Sequence, residues 1–355
     1  MQVAIIGLPT SGKTTLFDAI TGRHDEPGAY AAPGSVQVGV VHVADERVDV
    51  IFELTKPKKC TYASLEFLDI AGLFTGDKPD PEAVRAMRYS DGLVKVVRAF
   101  ESPSVAHAKG SIDPRRDLEE IESDLFVADL DIIERNIENL QQSVRKPTPR
   151  QDDERARLAL LERCREEIDA VGALGKLHLT EEERKVLGSY AFLTQKPSMV
   201  VLNTDDSQIG DRSAAAVLGE HREPVVAVCA AIEKEILELD PDERGPFLED
   251  LGLGELSGQK VVAACLEALG LISFFTVGNK ELRAWLIPQG TTAVEAAGKI
   301  HTDIARGFIR AEVVLYDDFR ALGSWKELRA KGKIGLEGKD YVVQDGDIIN
   351  VRFSV

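Results

Sequence analysis

Apolar and polar positions along the 355-residue chain follow three different rhythms. Residues 2–6 form a short apolar, β-branched run, residues 64–68 alternate, and residues 199–202 and 225–228 are continuous apolar runs, so each predicts a strand. A second rhythm starts at Leu118, with apolar positions at Leu118, Ile121, Leu125, Ala128 and Ile132, then along Ile133, Ile137, Leu140 and Val144. Steps of three and four mark one helical stripe. The stripe breaks at Pro147-Thr148-Pro149 and resumes at Leu161, Cys164, Ile168, Val171 and Leu174, which predicts a second helix folding back as an antiparallel hairpin. In the last 80 residues, strand-like runs at 282–287, 311–315 and 348–353 flank a single helical stretch at 293–305, with Asp345-Gly346 as a turn between strands. That mixture is an α+β pattern.

Composition sets bounds on these elements. A chain of this length suits two or three domains, and 44% hydrophobic residues suffice for a real core. Sixty acidic against 43 basic side chains give a net charge of -17. That balance argues against a protein that coats nucleic acid non-specifically, because phosphate neutralisation needs clustered Lys and Arg. The charge is uneven. Residues 111–195 carry 20 acidic and 13 basic side chains, the mark of a solvated helical surface, whereas residues 276–355 carry 11 and 12 and so are nearly neutral. Cys60, Cys164, Cys229 and Cys265 form no CxxC pair, so neither a disulfide framework nor a structural zinc site is expected. The N-terminus lacks a basic n-region, and no stretch approaches the roughly 18 apolar residues of a membrane helix. A soluble cytoplasmic protein is expected, with neither a membrane nor DNA as partner.

The chemistry begins where the first strand ends. Residues 7–14 read Gly7-Leu8-Pro9-Thr10-Ser11-Gly12-Lys13-Thr14, a Walker A loop in the strand, loop, helix setting that the motif requires. Gly7 and Gly12 let the backbone fold back so that successive N–H groups, those of Thr10 and Ser11 among them, cradle phosphate oxygens. Lys13 adds a point charge for the β- and γ-phosphates, and Thr14 offers a hydroxyl to Mg²⁺. Thr15 opens the helix whose positive dipole end faces the α- and β-phosphates. The strand at 64–68 runs into Asp69-Ile70-Ala71-Gly72, a DxxG pattern in which Asp69 would hold Mg²⁺ through a water and the Gly72 N–H would sense the γ-phosphate. Leu73 follows, where Ras-like enzymes carry a water-orienting Gln, so slow hydrolysis is expected. Downstream, the strand at 199–202 ends in Asn203-Thr204-Asp205-Asp206, the place of an NKxD base loop. Asn203 and Asp206 fit that motif, while Thr204 replaces its Lys. Cys229-Ala230-Ala231 stands where SAK-like residues would contact the base.

With these motifs in place the chain resembles the Obg-like ATPase (YchF) family, a branch of the Obg-related P-loop NTPases. The likeness spans the whole length. It rests further on residues 38–43 with Asp45-Glu46-Arg47, on Lys56-Pro57-Lys58-Lys59, and in the C-terminal third on residues 296–303, 306–312 and 336–347. The resemblance implies an α/β fold: a Ras-like P-loop NTPase domain at 1–110 and 196–275, interrupted by a helical coiled-coil insertion at 111–195 and followed by a β-grasp (TGS) α+β domain at 276–355. It implies a nucleotide-dependent switch that binds and slowly hydrolyses ATP or GTP with Mg²⁺. Lys13, Asp69 and Gly72 would be catalytic. Gly7, Thr10, Ser11, Gly12, Lys13, Thr14, Thr15, Asn203, Thr204 and Asp206 would bind the nucleotide, and Thr14 and Asp69 the metal. The ribosome or a structured RNA would be engaged through the TGS domain and the helical insertion.

The chain also departs from the family pattern. Pro33 stands about where a switch I Thr is usual, and a proline supplies no hydroxyl to Mg²⁺. The Gly-rich extension after Leu73 is replaced by a shorter loop, residues 74–79. Weaker coupling of nucleotide state to conformation is therefore expected, and the alternatives are a nucleotide-sensing protein with negligible hydrolysis or a GTP-specific GTPase. Asp206 is the residue that guanine recognition uses, whereas Thr204 and Cys229-Ala230-Ala231 speak against guanine. ATP is placed ahead of GTP, mostly on the resemblance.

Overall fold

A computed structural model describes residues 1–22, 35–70, 81–146, 149–172, 174, 177–209, 214–219, 223–251 and 256–354. In chain order its elements are β1 (Gln2–Ile6), α1 (Lys13–Thr21), β2 (Val36–His42), α2 (Glu46–Thr55), β3 (Lys59–Thr61), β4 (Ser64–Ile70), α3 (Pro81–Tyr89) and β5 (Gly92–Arg98). Three helices follow, α4 (Pro114–Ser143), α5 (Gln151–Val171) and α6 (Glu181–Gly188). Then come β6 (Ser198–Asn203), β7 (Val225–Val228), α7 (Ala230–Glu238), α8 (Pro241–Asp250), α9 (Ser257–Ala268), β8 (Leu271–Val277) and β9 (Glu281–Pro288). The chain closes with α10 (Ala293–Ile300), α11 (Thr302–Arg306), β10 (Phe308–Val314), α12 (Tyr316–Leu322), α13 (Trp325–Ala330), β11 (Gly335–Glu337) and β12 (Ile348–Phe353). They form two compact units, one of Met1–Gly39 with Phe67–Gly258, the other of Val40–Glu66 with Gln259–Val355.

The first sheet has the order β2-β4-β1-β5-β6-β7, and the pairs β1–β5, β5–β6 and β6–β7 are parallel. Its central strands are buried on both faces because both are covered: Val3–Ile6 are buried, and so are all seven residues of β5, Lys95 and Arg98 among them. One core layer joins Ala4, Ile6, Leu68, Val97 and Val200 to Met87 of α3 and to Leu118, Ile121 and Leu125 of α4. The strand order reverses at β1: β2 and β4 lie on one side of it, and β5, β6 and β7 are added on the other. Such a reversal opens the crevice in which open α/β sheets bind ligands.

The predicted hairpin is present as α4 packed on α5. Asp113 caps α4 by accepting the Arg116 N–H, Pro114 occupies its first turn, and Gly172 ends α5 in the left-handed conformation. The seam joins Ile133 and Ile137 to Leu160, Leu161, Cys164 and Ile168, with Leu174, Leu187 and Phe192 closing it. Two details correct the predicted stripe. Ile133 is fully buried while Ile132 is only half-buried, and the buried position beside Ala128 is a carboxylate, Asp129. Asp129 accepts the N–H groups of Leu193 and Thr194 and the Thr194 hydroxyl, and it pairs with Arg88 at 2.9 Å. Pro147 and Thr148 and the Val171 side chain lie outside the described residues. Helix α6, which the apolar rhythm did not announce, starts with a capping box between Thr180 and Glu183.

The second unit carries a sheet of order β11-β10-β12-β8-β9-β3. Strand β10 is antiparallel to β11 and β12, β12 is parallel to β8, and β8 is antiparallel to β9. The core sets Phe274, Ile287, Ala311, Val313 and Ile349 against Ala293, Ala296 and Ala297 of α10. The single helix predicted at 293–305 is two. His301 adopts an extended conformation, φ -165° and ψ 141°, and its ring Nδ1 accepts the Asp303 N–H to start α11. The compact units are cut elsewhere than the expected domains. Residues 40–66 group with the C-terminal segment because β3 pairs in parallel with β9, Cys60 opposite Leu282, and Arg47 forks onto Asp345. Among the described residues no helix is long and apolar enough to cross a membrane.

Candidate nucleotide site

The predicted site residues that the structure describes converge at the C-terminal ends of β1, β4 and β6. After Ile6 the chain turns through residues 7–12 and enters α1 at Lys13. Gly12 takes φ 89°, a left-handed conformation that disfavours side chains, and a Cβ there would overlap the Asn203 amide nitrogen. At Gly7 a Cβ would overlap the Val96 carbonyl oxygen. Both glycines are therefore required by close approach as well as by the turn. Ser11 is buried, and its hydroxyl has no hydrogen-bond partner.

Lys13 donates to the Leu8 carbonyl at 2.9 Å, across the loop it follows. Burial pushes its ammonium down from 10.5 to about 8, partly offset by the Asp69 charge. Asp69, near the end of β4, is buried and accepts the Thr14 hydroxyl at 2.7 Å through Oδ2. Its other oxygen, Oδ1, is buried without a partner. Burial raises the Asp69 carboxyl above its ordinary range, against the Thr14 hydrogen bond and the Lys13 charge, which lower it. Thr15 follows, half-buried in the first turn of α1.

This donor set can be tested for Mg²⁺. One orphaned carboxylate oxygen beside a threonine hydroxyl is a hard-oxygen pair, and among the described residues no three His, Cys, Asp or Glu side chains gather into a cage. A cation that takes one or two protein oxygens and completes its shell from phosphate and water fits. Gly72 and Leu73, with Pro33 and residues 74–79, lie outside the described residues.

Asn203 links the phosphate loop to the expected base loop. It is buried at the end of β6, its Nδ2 donates to the Ser11 carbonyl at 3.0 Å, and its Oδ1 accepts the Ala230 N–H at 3.2 Å. Thr204 is buried, and its N–H donates to the Val228 carbonyl at 2.8 Å. Asp205 accepts the N–H and hydroxyl of Ser207, whereas Asp206 opens a single 3₁₀ turn and is exposed. Cys229 is the residue before α7, which begins at Ala230.

Sequence reasoning missed three groups here. Asp18 of α1 pairs with Lys234 of α7 at 2.7 Å. His107 and Asp117 are buried together, Nε2 to Oδ2 at 2.8 Å. Arg98 ends the buried strand β5 with 2% exposure and reaches Thr10. Arg98 closes a run that already holds Lys95 among Leu93, Val94, Val96 and Val97, so nothing local set it apart, and the other two pairs have no local signature either.

A Walker A loop after the central strand of a largely parallel sheet, with a DxxG carboxylate on the Walker threonine and an Asn-bearing loop after the fifth strand of that sheet, defines a P-loop NTPase of the GTPase fold. In agreement, residues 2–142 match the family described as "50S ribosome-binding GTPase", and residues 271–354 match the YchF GTPase C-terminal family, described as a protein of unknown function (DUF933). A relative named ribosome-binding ATPase YchF from Escherichia coli O157:H7 is 38% identical over 363 residues, covering 100% of this chain and 99% of that protein. Its namesake from Bacillus subtilis is 36% identical over 367 residues, covering 100% of both. The solved structure of the Schizosaccharomyces pombe YchF GTPase superposes with a TM-score of 0.83 at 28% identity, over 99% of this chain and 97% of that one. The chain belongs to the YchF family.

Proposed function

We propose that this protein is a slow Mg²⁺-dependent P-loop NTPase that prefers ATP and acts on the ribosome as a nucleotide-dependent switch. The observation that carries the reading is the joint placement of Lys13, Thr14 and Asp69, with Asn203 bracing the phosphate loop against the base loop. Relatives over the full length are named ribosome-binding ATPases. In the proposed mechanism the loop N–H groups from residue 7 to residue 14 hold the polyphosphate, and Lys13 leaves the Leu8 carbonyl to take up β- and γ-phosphate oxygens. Thr14 and Asp69 would hold Mg²⁺, which when bound neutralises charge on those oxygens. The chain's contribution is positioning and charge stabilisation rather than proton transfer. Leu73 has no group to orient the attacking water, which supports slow turnover or, at the limit, nucleotide sensing with negligible hydrolysis.

A second reading, GTP specificity, is favoured by one observation, the exposed Asp206 on the loop after β6. ATP and GTP affinities measured side by side, with Asp206→Ala and Lys13→Ala, test both. The ATP reading expects tighter ATP binding that survives Asp206→Ala and is abolished by Lys13→Ala, with Lys13-dependent phosphate release. Loss of GTP but not ATP binding in Asp206→Ala reverses the preference; nucleotide affinity unchanged in Lys13→Ala removes Lys13 from the site. In this reading the C-terminal domain at 276–355 and the helical insertion engage the ribosome, and nucleotide-dependent co-sedimentation with ribosomes is the check.

A further inference from the structure

Arg98 stands at the end of β5 with 2% exposure, a permanent charge at the mouth of the proposed phosphate site. A buried guanidinium must have its donors satisfied and its charge compensated. Each of its three nitrogens has an acceptor. Nη2 donates to the Val105 carbonyl at 2.8 Å, Nε to the Phe100 carbonyl at 3.2 Å, and Nη1 to the Thr10 carbonyl and hydroxyl, each at 3.3 Å. The guanidinium also lies 4.3 Å from the centre of the Phe100 ring. The charge is not compensated: every one of these acceptors is neutral, and among the described residues no carboxylate pairs with Arg98.

Thr10 gives the arrangement its meaning. It has φ 62°, one of three non-glycine residues with positive φ among the described residues. Left-handed backbone is unfavourable for a β-branched side chain, so surrounding contacts must enforce it. Two do so. Arg98 takes the Thr10 carbonyl and hydroxyl, and that hydroxyl donates to the Ala106 carbonyl at 3.3 Å. Left-handed residues in a tight turn are what make successive N–H groups converge on an anion.

We propose that Arg98 is a positioning residue of the phosphate loop: it holds Thr10 left-handed, and its uncompensated charge finds its counter-charge in the bound polyphosphate. The proposal rests on the nucleotide-binding reading above. Because the loop and the charge serve the phosphates common to both nucleotides, ADP and ATP depend on Arg98 alike.

The test uses the full chain and titration calorimetry with Mg²⁺ and ADP or ATP, on the parent, Arg98→Gln, Arg98→Lys, Thr10→Gly and Thr10→Gly with Arg98→Gln. Arg98→Gln is expected to weaken ADP and ATP equally, by roughly tenfold, the scale of a lost charged hydrogen bond. Arg98→Lys keeps the charge without the fork and loses less. Thr10→Gly removes the need to enforce the conformation, so Arg98→Gln costs at least threefold less in that background. KM for ATP rises with kcat little changed. ADP affinity within twofold of the parent in folded Arg98→Gln overturns the proposal, as does a fall in kcat with ADP affinity kept, which would put Arg98 on the γ-phosphate. Additive losses in the double variant also overturn it, and failure of both single Arg98 variants to fold would assign Arg98 to the sheet. A parent that binds neither nucleotide sinks the nucleotide reading itself, a result separate from all of these.

Discussion

At the residue scale Lys13 is expected to set the pH behaviour of the proposed nucleotide site. In the empty protein its ammonium is pushed down to about 8 by burial, while a bound phosphate favours the charged form. Binding therefore takes up a proton above pH 8, and affinity falls as pH rises. Between pH 7 and pH 9 the expected loss approaches about tenfold per unit on the alkaline side of 8, measurable by calorimetry in buffers of different ionisation enthalpy. A flat profile to pH 9 would mean that Lys13 stays charged in the empty site. The turn through the two loop glycines into Lys13 and Thr14 was legible in the sequence, because it is made by consecutive residues. Asp69 was legible from its place near the end of a strand. That its Oδ1 is left without a partner was not, since orphaning depends on what packs around it.

Elements show a different limit. Period and breakers predicted the helical hairpin, and its seam is apolar as expected. They also treated the stripe as uniformly apolar, whereas Asp129 sits in it fully buried. Its oxygens satisfy two backbone N–H groups at the 3₁₀ turn of Leu193–Gln195 and balance Arg88, a set drawn from three separate segments. Removing one member of such a buried pair leaves the other uncompensated. Asp129→Ala is expected to cost about 3–5 kcal/mol in urea unfolding, and Asp129→Asn less because an amide oxygen still accepts. A loss below about 1 kcal/mol would show that water or another group replaces the carboxylate. The break at His301 was likewise hidden, because a polar side chain capping a new helix looks, in an apolar pattern, like the same helix continuing.

For the whole molecule, charge and compactness divide together. Residues 40–66 and 259–355 hold 17 basic and 17 acidic side chains, so the entire net charge of -17 belongs to the other unit. A neutral unit can approach a polyanion where an acidic one is repelled. Arg306 and Arg310 are exposed on it, so Arg306→Glu with Arg310→Glu is expected to weaken ribosome co-sedimentation several-fold, more at low salt than at high. Lys13-dependent phosphate release should be unchanged. Undiminished co-sedimentation would move the contact away from these two side chains.

By itself the sequence determined the Walker A turn, the position of Asp69 near the end of its strand, the strands that deliver them and the helical hairpin. Each is encoded by neighbours in the chain, through backbone freedom, side-chain period or a helix terminus. Only the tertiary structure decided which distant residues meet: Asn203 on Ser11 across 192 positions, Arg98 on Thr10 across 88, and β3 on β9. The physical reason is that a local pattern states which groups must be buried or bonded. The partner that satisfies them is chosen by packing over the whole chain.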